Sequence, residues 1–149
     1  MYTPHTVTVF NVDEDLDTLM PIVNAAVIRG VFLDISEGSN VQESGLESAN
    51  KAVLYIPFSA DAVDAVTGEK KAYIGTKEYQ SAPDKSLYWT LRKATEQSAA
   101  PCFFVKGEVN EPVEYSTAKN RFDYVFDVKT VDLRDFGSED MRHWEVGGV

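Results

Sequence analysis

The sequence predicts a mainly β chain folded as one domain over residues 1–149, a small antiparallel barrel or sandwich with long loops and one or two short helices. Three observations predict it. Runs of β-branched and aromatic residues recur along the chain, each bounded by Asp, Asn, Gly, Ser or Pro. Helical periodicity is confined to one or two brief stretches. A chain of 149 residues, 44% hydrophobic and 26% charged, has the size and composition of one globular domain with one core.

Thr6-Val7-Thr8-Val9-Phe10-Asn11 reads as a first strand, and Asp13-Glu14-Asp15 as its exit turn. Residues 22–33 are rich in Val, Ile and Ala and carry Gly30 near Val31-Phe32-Leu33. They predict one long strand bent or bulged at the glycine, although Asn24-Ala25-Ala26-Val27-Ile28 would tolerate a helical turn. Residues 34–50 hold Gly38, Gly45, four serines and two asparagines, which predicts a long surface loop. Lys51-Ala52-Val53-Leu54-Tyr55-Ile56-Pro57-Phe58 is the clearest strand; Pro57 lacks a ladder donor, so the strand ends there or lies at an edge.

Residues 61–69 include Thr67-Gly68-Glu69 and read as a turn, followed by a short strand at Lys71-Ala72-Tyr73-Ile74. Thr76-Lys77-Glu78-Tyr79-Gln80 predicts a short helix capped by Thr76 and stopped by Pro83. Ser86-Leu87-Tyr88-Trp89-Thr90-Leu91 and Cys102-Phe103-Phe104-Val105-Lys106-Gly107-Glu108-Val109 are further strands, with helical character expected near residues 91–97 between them. Residues 124–132 alternate over their second half and predict another strand. About seven antiparallel strands result, and barrel closure would protect their edges. No repeat or internal linker divides them.

Acidic residues number 24 against 14 basic ones, and a net charge of −10 disfavours wrapping of nucleic acid or binding to anionic lipid. An acidic wall would still suit a passage through which DNA slides without sticking. Cys102 is the only cysteine, which excludes an internal disulfide and fits a reducing compartment; beside Phe103 and Phe104 it reads as a core residue. No basic leader with an apolar run follows Met1, and nowhere do about 18 apolar residues succeed one another, so no export signal or membrane association is expected.

Catalytic signals are lacking. His5 and His143 stand in no metal-binding spacing, no Gly-x-Ser-x-Gly elbow occurs, and both the dinucleotide and the phosphate-loop glycine patterns are missing. Asp13-Glu14-Asp15-Leu16-Asp17 lacks the glycine and distal glutamate of a calcium loop and reads as a solvated turn. Acid pairs such as Asp132 with Asp135, or Glu139-Asp140, follow from the 24 acids, and nothing selects one as acid and base. The expectation is a protein without cofactor or metal that is not an enzyme.

The most distinctive segment is residues 135–148. His143-Trp144-Glu145-Val146 reads either as a last strand that buries Trp144 or, with Met141, Arg142 and His143, as an anchor for a neighbour, because Met, Arg and Trp concentrate at interface hot spots. Both readings are compatible.

At these residues the chain resembles a family of small proteins encoded in the structural gene clusters of tailed phages and prophages of Gram-positive bacteria. The similar segments are Thr6 to Asn11, Arg29-Gly30-Val31-Phe32, Ser44-Gly45-Leu46-Glu47-Ser48-Ala49, Val53-Leu54-Tyr55-Ile56-Pro57-Phe58, Lys106-Gly107-Glu108-Val109, and the ending from Asp135-Phe136-Gly137-Ser138 to His143-Trp144-Glu145-Val146-Gly147-Gly148. The likeness covers nearly the whole chain. It implies a β-barrel head-to-tail connector, similar to the stopper or head-completion proteins that form a ring beneath the portal and adaptor and help retain packaged DNA. Implied with it are a place in the virion neck after synthesis in the host cytoplasm, and partners that are further copies of the chain, portal or adaptor proteins, and tail-terminator or tail proteins. DNA would pass through the lumen without sequence-specific binding. The loop expected at residues 36–50, with Glu37, Gln42, Glu43 and Glu47, would face a neighbour or that lumen. A tail terminator or minor tail protein, and a phage-encoded regulatory binding protein, remain open as alternatives; a small cell-wall hydrolase is the enzyme alternative.

Overall fold

A computed structural model describes residues 2–42, 45–93 and 102–149, of which 38–42 and 45–50 are described by their backbone. Strand β1 (His5–Glu14) turns back into β2 (Pro21–Gln42), which hairpins into β3 (Gly45–Pro57). The short strands β4 (Asp61–Asp64) and β5 (Ala72–Tyr73) precede helix α1 (Thr76–Ser81). After β6 (Tyr88–Trp89) come β7 (Cys102–Lys106), helix α2 (Tyr115–Arg121), β8 (Val125–Arg134) and β9 (His143–Gly148).

Six strands close a barrel in the order β1-β7-β8-β9-β3-β2, with β2 pairing back onto β1. Every pairing in this circuit is antiparallel. Closure depends on β2, which is long enough to pair with β1 over its first half and with β3 over its second. The two halves meet at Gly30, where φ is +82° and the register with β1 slips between His5 and Thr6. Glycine takes this left-handed conformation without a Cβ penalty, and the bulge bends the strand around the corner of the barrel. β4 occupies the other edge of β2 beside Arg29, where β3 leaves off.

Alternation along the strands separates two cores. Inward residues such as Val7, Val9, Ile28, Leu54, Phe104, Phe126 and Val146 fill the barrel. On the opposite face of β1, β2, β7 and β8, Phe10, Val27, Phe103, Val105 and Val125 meet Ala118 of α2 and, from the segment before that helix, Val109 and Val113. Phe10 and Phe103 stack there at 4.6 Å. Where β2 and β7 are buried on both faces, at residues 25–28 and 102–105, the sequence runs apolar without alternation. Inside the barrel Asn11 Nδ2 donates to Thr90 O at 2.8 Å and Asn11 Oδ1 accepts from Thr90 N at 3.2 Å, tying the segment after β6 to β1.

The circuit is closely packed at Gly148, which lies in register with Ala52 on one side and Val128 on the other. A Cβ there would stand 2.8 Å from Phe126 Cβ and 2.9 Å from Phe104 Cζ. Both rings are fully buried, so neither has room to yield. Gly148→Ala is therefore expected to destabilise the fold by about 1–3 kcal/mol in denaturant unfolding; an unchanged midpoint would show that the barrel seam has slack.

Several expectations need correction. Residues 34–50 are not a long loop: β2 and β3 pair from Phe32↔Tyr55 to Gln42↔Gly45. Residues 61–64 form β4, and the turn expected over 61–69 is reduced to residues after Asp64, whose Oδ2 accepts from Val66 N and Thr67 N. β5 and β6 pair in parallel, outside the antiparallel pattern. Helix α1 is capped at Gly75 with no side-chain hydrogen bond, so Thr76 is its first residue rather than its cap. Residues 91–93 are not helical, and 94–97 lie outside the described residues. β1 continues through Asp13 and Glu14, and the acidic turn starts at Asp15, whose Oδ1 accepts from Asp17 N and Thr18 N.

Candidate interaction surfaces

Of the four residues of the C-terminal segment, Met141 and Arg142 precede β9, and strand alternation divides His143 from Trp144. Met141 ends a 3₁₀ turn and is exposed. Arg142 Nε lies 3.4 Å from Asp135 Oδ1, an ion pair whose geometry falls short of a hydrogen bond. His143 starts β9 with its ring outward, 5.7 Å from Tyr55, and its Nδ1 stands 2.8 Å from Met141 O. Trp144 points inward against Phe58 at 4.4 Å, Tyr73 at 4.3 Å and Trp89 at 5.7 Å. The structure thus brings Met141, Arg142 and His143 to the surface and assigns Trp144 to the core margin.

The second set of candidates lies on the β2–β3 hairpin. From Ser36↔Lys51 to Gln42↔Gly45 the two strands pair only with each other among the described residues, because β9 joins β3 no earlier than Ala52. Seven register pairs at ~3.3 Å per residue make a ribbon about 20 Å long beyond the barrel wall. Gln42 and Glu47 are strand positions on it, opposite Gly45 and Asn40 respectively, and Glu43 lies outside the described residues. Glu37 sits at the ribbon's root, where its Oε1 accepts from Tyr124 Oη at 2.7 Å. That hydrogen bond raises the Tyr124 phenol above its ordinary pKa.

A third surface was not singled out in the sequence. Register places Phe32 of β2 beside Tyr55 of β3, and Tyr55 beside Glu145 of β9. Their side chains point away from the barrel core, as does His143. Ring centroids follow one another at 6.3 Å (Tyr2 to Phe32), 5.8 Å (Phe32 to Tyr55) and 5.7 Å (Tyr55 to His143). His5 joins the row 5.5 Å from Phe32, and its Nδ1 accepts from Leu33 N at 3.0 Å. Together Tyr2, Phe32, Tyr55, His143 and Glu145 line an open groove of about 520 Å³. The signal was present as aromatics at outward strand positions, but it becomes readable only once the cross-strand register is known.

A cleft of about 420 Å³ opens between the β1–β2 turn and α1, with Asp13, Glu14, Leu19 and Arg92 in its walls. Cys102 is fully enclosed, and burial pushes its thiol up to about 11, against hydrogen bonds from the Arg92 backbone and the Asn11 side chain. At neutral pH it stays a thiol, as its place beside Phe103 led one to expect. Among the described residues no cluster of three or more His, Cys, Asp or Glu is arranged to hold a metal ion. No described helix is long and apolar enough to cross a membrane.

These surfaces offer apolar and aromatic contact, carboxylates and, among the described residues, strand edges without a partner. Nothing among the curated proteins or the solved structures matches the chain. One family model does, over residues 2–149, and by that match the chain belongs to the family described as "Family of unknown function (DUF6751)".

Proposed function

We propose that the chain is a virion protein of the tailed-phage neck, a head-to-tail connector of the stopper or head-completion kind. Copies form a ring that joins the portal and adaptor side to the tail and helps retain packaged DNA. The observation that carries this reading is the ribbon. A closed barrel removes strand edges, yet β2 and β3 extend seven register pairs past it. An isolated two-stranded ribbon is marginally stable in water, and its open edges are templates for strand addition by another chain. In a closed ring such an arm meets a different surface on the next copy, which is the head-to-tail contact that cyclic symmetry requires.

The charge of −10 fits a lumen through which DNA passes without adhering. The resemblance of the Ile56-Pro57-Phe58 strand end and the His143-Trp144-Glu145 ending to phage structural proteins supports the same reading. Quantitative mass spectrometry of purified particles tests it. A copy number near that of the portal protein, or about half of it, is expected for a neck ring. Absence from particles would remove the connector and favour a regulatory binding protein. Deleting residues 37–47 is expected to leave the barrel folded while abolishing ring assembly, so that heads package DNA and then lose it. Full, stable particles from that mutant would exclude the ribbon as the joining element.

A further inference from the structure

The aromatic groove belongs to the barrel wall, and the ring reading makes no use of it. We propose that it is a docking site for an arginine-bearing segment of a partner protein, with the guanidinium laid on the aromatic faces and paired with Glu145.

Three features select a cation. Aromatic faces carry the negative lobes of the ring quadrupole and attract a cation placed over them. Tyr2 (76% exposed) and the half-buried Phe32, Tyr55 and His143 present such faces in one row. Among the lining residues, the one with a formal charge at neutral pH is Glu145, a carboxylate. A purely apolar occupant would take the carboxylate oxygen that Arg134 leaves unpaired out of water, and an anionic one would meet the −10 chain with like charge.

The carboxylate also shows which cation suits it. Arg134 Nη2 stands 3.1 Å from Glu145 Oε2, so the site already accepts a guanidinium from outside the groove. Among the described residues Oε1 has no hydrogen-bond partner. Arginine fits better than lysine because its planar, weakly hydrated group stacks on rings while donating to a carboxylate.

The test is an NMR titration of the full chain with N-acetyl-arginine methylamide and, in parallel, its leucine counterpart. The arginine probe is expected to shift the ring signals of Tyr2, Tyr55 and His143 saturably, and the leucine probe to do so more weakly. Glu145→Gln should raise the half-saturating concentration about two- to five-fold, the scale of an exposed cation contact. Arg134→Gln should lower it, because the competing internal guanidinium is gone; a residue that merely shaped the groove would not act in that direction. Unmoved ring signals, equal response to leucine, or an unchanged Glu145→Gln variant would overturn the proposal. So would ring shifts that follow protein concentration alone, which would assign the groove to a second copy. Each outcome is independent of copy number in particles, so failure here leaves the neck reading standing.

Discussion

Replacing Asp64 with alanine is expected to cost the fold about 3–5 kcal/mol, the usual penalty for leaving a buried charge without its partner. The charge is that of Lys71, whose side chain is 1% exposed and whose Nζ lies 3.0 Å from Asp64 Oδ1. Asp64 also organises the turn that brings Lys71 back, by accepting from Val66 N and Thr67 N at 2.9 Å each. Backbone hydrogen bonds from Asp64 N to Glu69 O and from Lys71 N to Ala62 O complete this β4 hairpin. Lys71→Met should behave differently. It removes the buried charge at similar volume, while Asp64, 16% exposed, keeps both backbone donors. A change within about 1 kcal/mol is expected, because exchanging a buried ion pair for apolar packing is often neutral. Denaturant unfolding of the two variants checks this, and equal destabilisation would refute it.

The same pair sets a pH dependence. Burial raises the Asp64 pKa, but the Thr67 N–H, the Lys71 ammonium and the Val66 N–H together outweigh it, and the net value falls below the ordinary 3.8. A carboxyl depressed in the folded state stabilises the fold above its unfolded pKa. That stabilisation is lost as pH falls below 3.8 and through the folded value. The acid limb of the stability curve should therefore flatten in Asp64→Asn relative to the native chain.

Much of the barrel is legible in the sequence because local chemistry and tertiary position agree there. Gly30 marks the bend of β2 and Pro57 the end of β3, each for a backbone reason that no packing can override. In sequence the ribbon looks like a loop because Gly38, Ser39, Asn40 and their neighbours have low strand propensity. Main-chain pairing with the partner strand decides the outcome instead, and a single strand's composition does not reveal its partner. Helix α2 is seven residues long and contributes one fully buried side chain, Ala118, so it has no apolar period to detect. The site followed the same logic. The ending 135–148 is distinctive in the sequence, but its division into outward His143 and inward Trp144 depends on strand alternation, and the groove depends on register across three strands.

Trp144 is where the two readings of that ending separate most clearly by experiment. As a core residue it closes the aromatic cluster of Phe58, Tyr73 and Trp89, with Tyr73 and Trp89 themselves meeting edge-on at 5.0 Å. Trp144→Ala would empty the centre of that cluster and is expected to destabilise the isolated subunit by about 3–5 kcal/mol. Trp144→Phe, which refills part of the space, should recover much of the loss. Met141→Ala, at an exposed position, should stay within about 0.5 kcal/mol of the native chain. The chain's two tryptophans, Trp89 and Trp144, share this cluster, so intrinsic fluorescence follows its opening directly in the native protein. Were Trp144 instead an anchor for a neighbouring subunit, its truncation would leave subunit unfolding unchanged and weaken assembly alone. The inward orientation, against three aromatic rings of the same chain, favours the first result. An interface at this end of the barrel would then rest on Met141, Arg142 and His143, the residues that the 3₁₀ turn and the start of β9 carry outward.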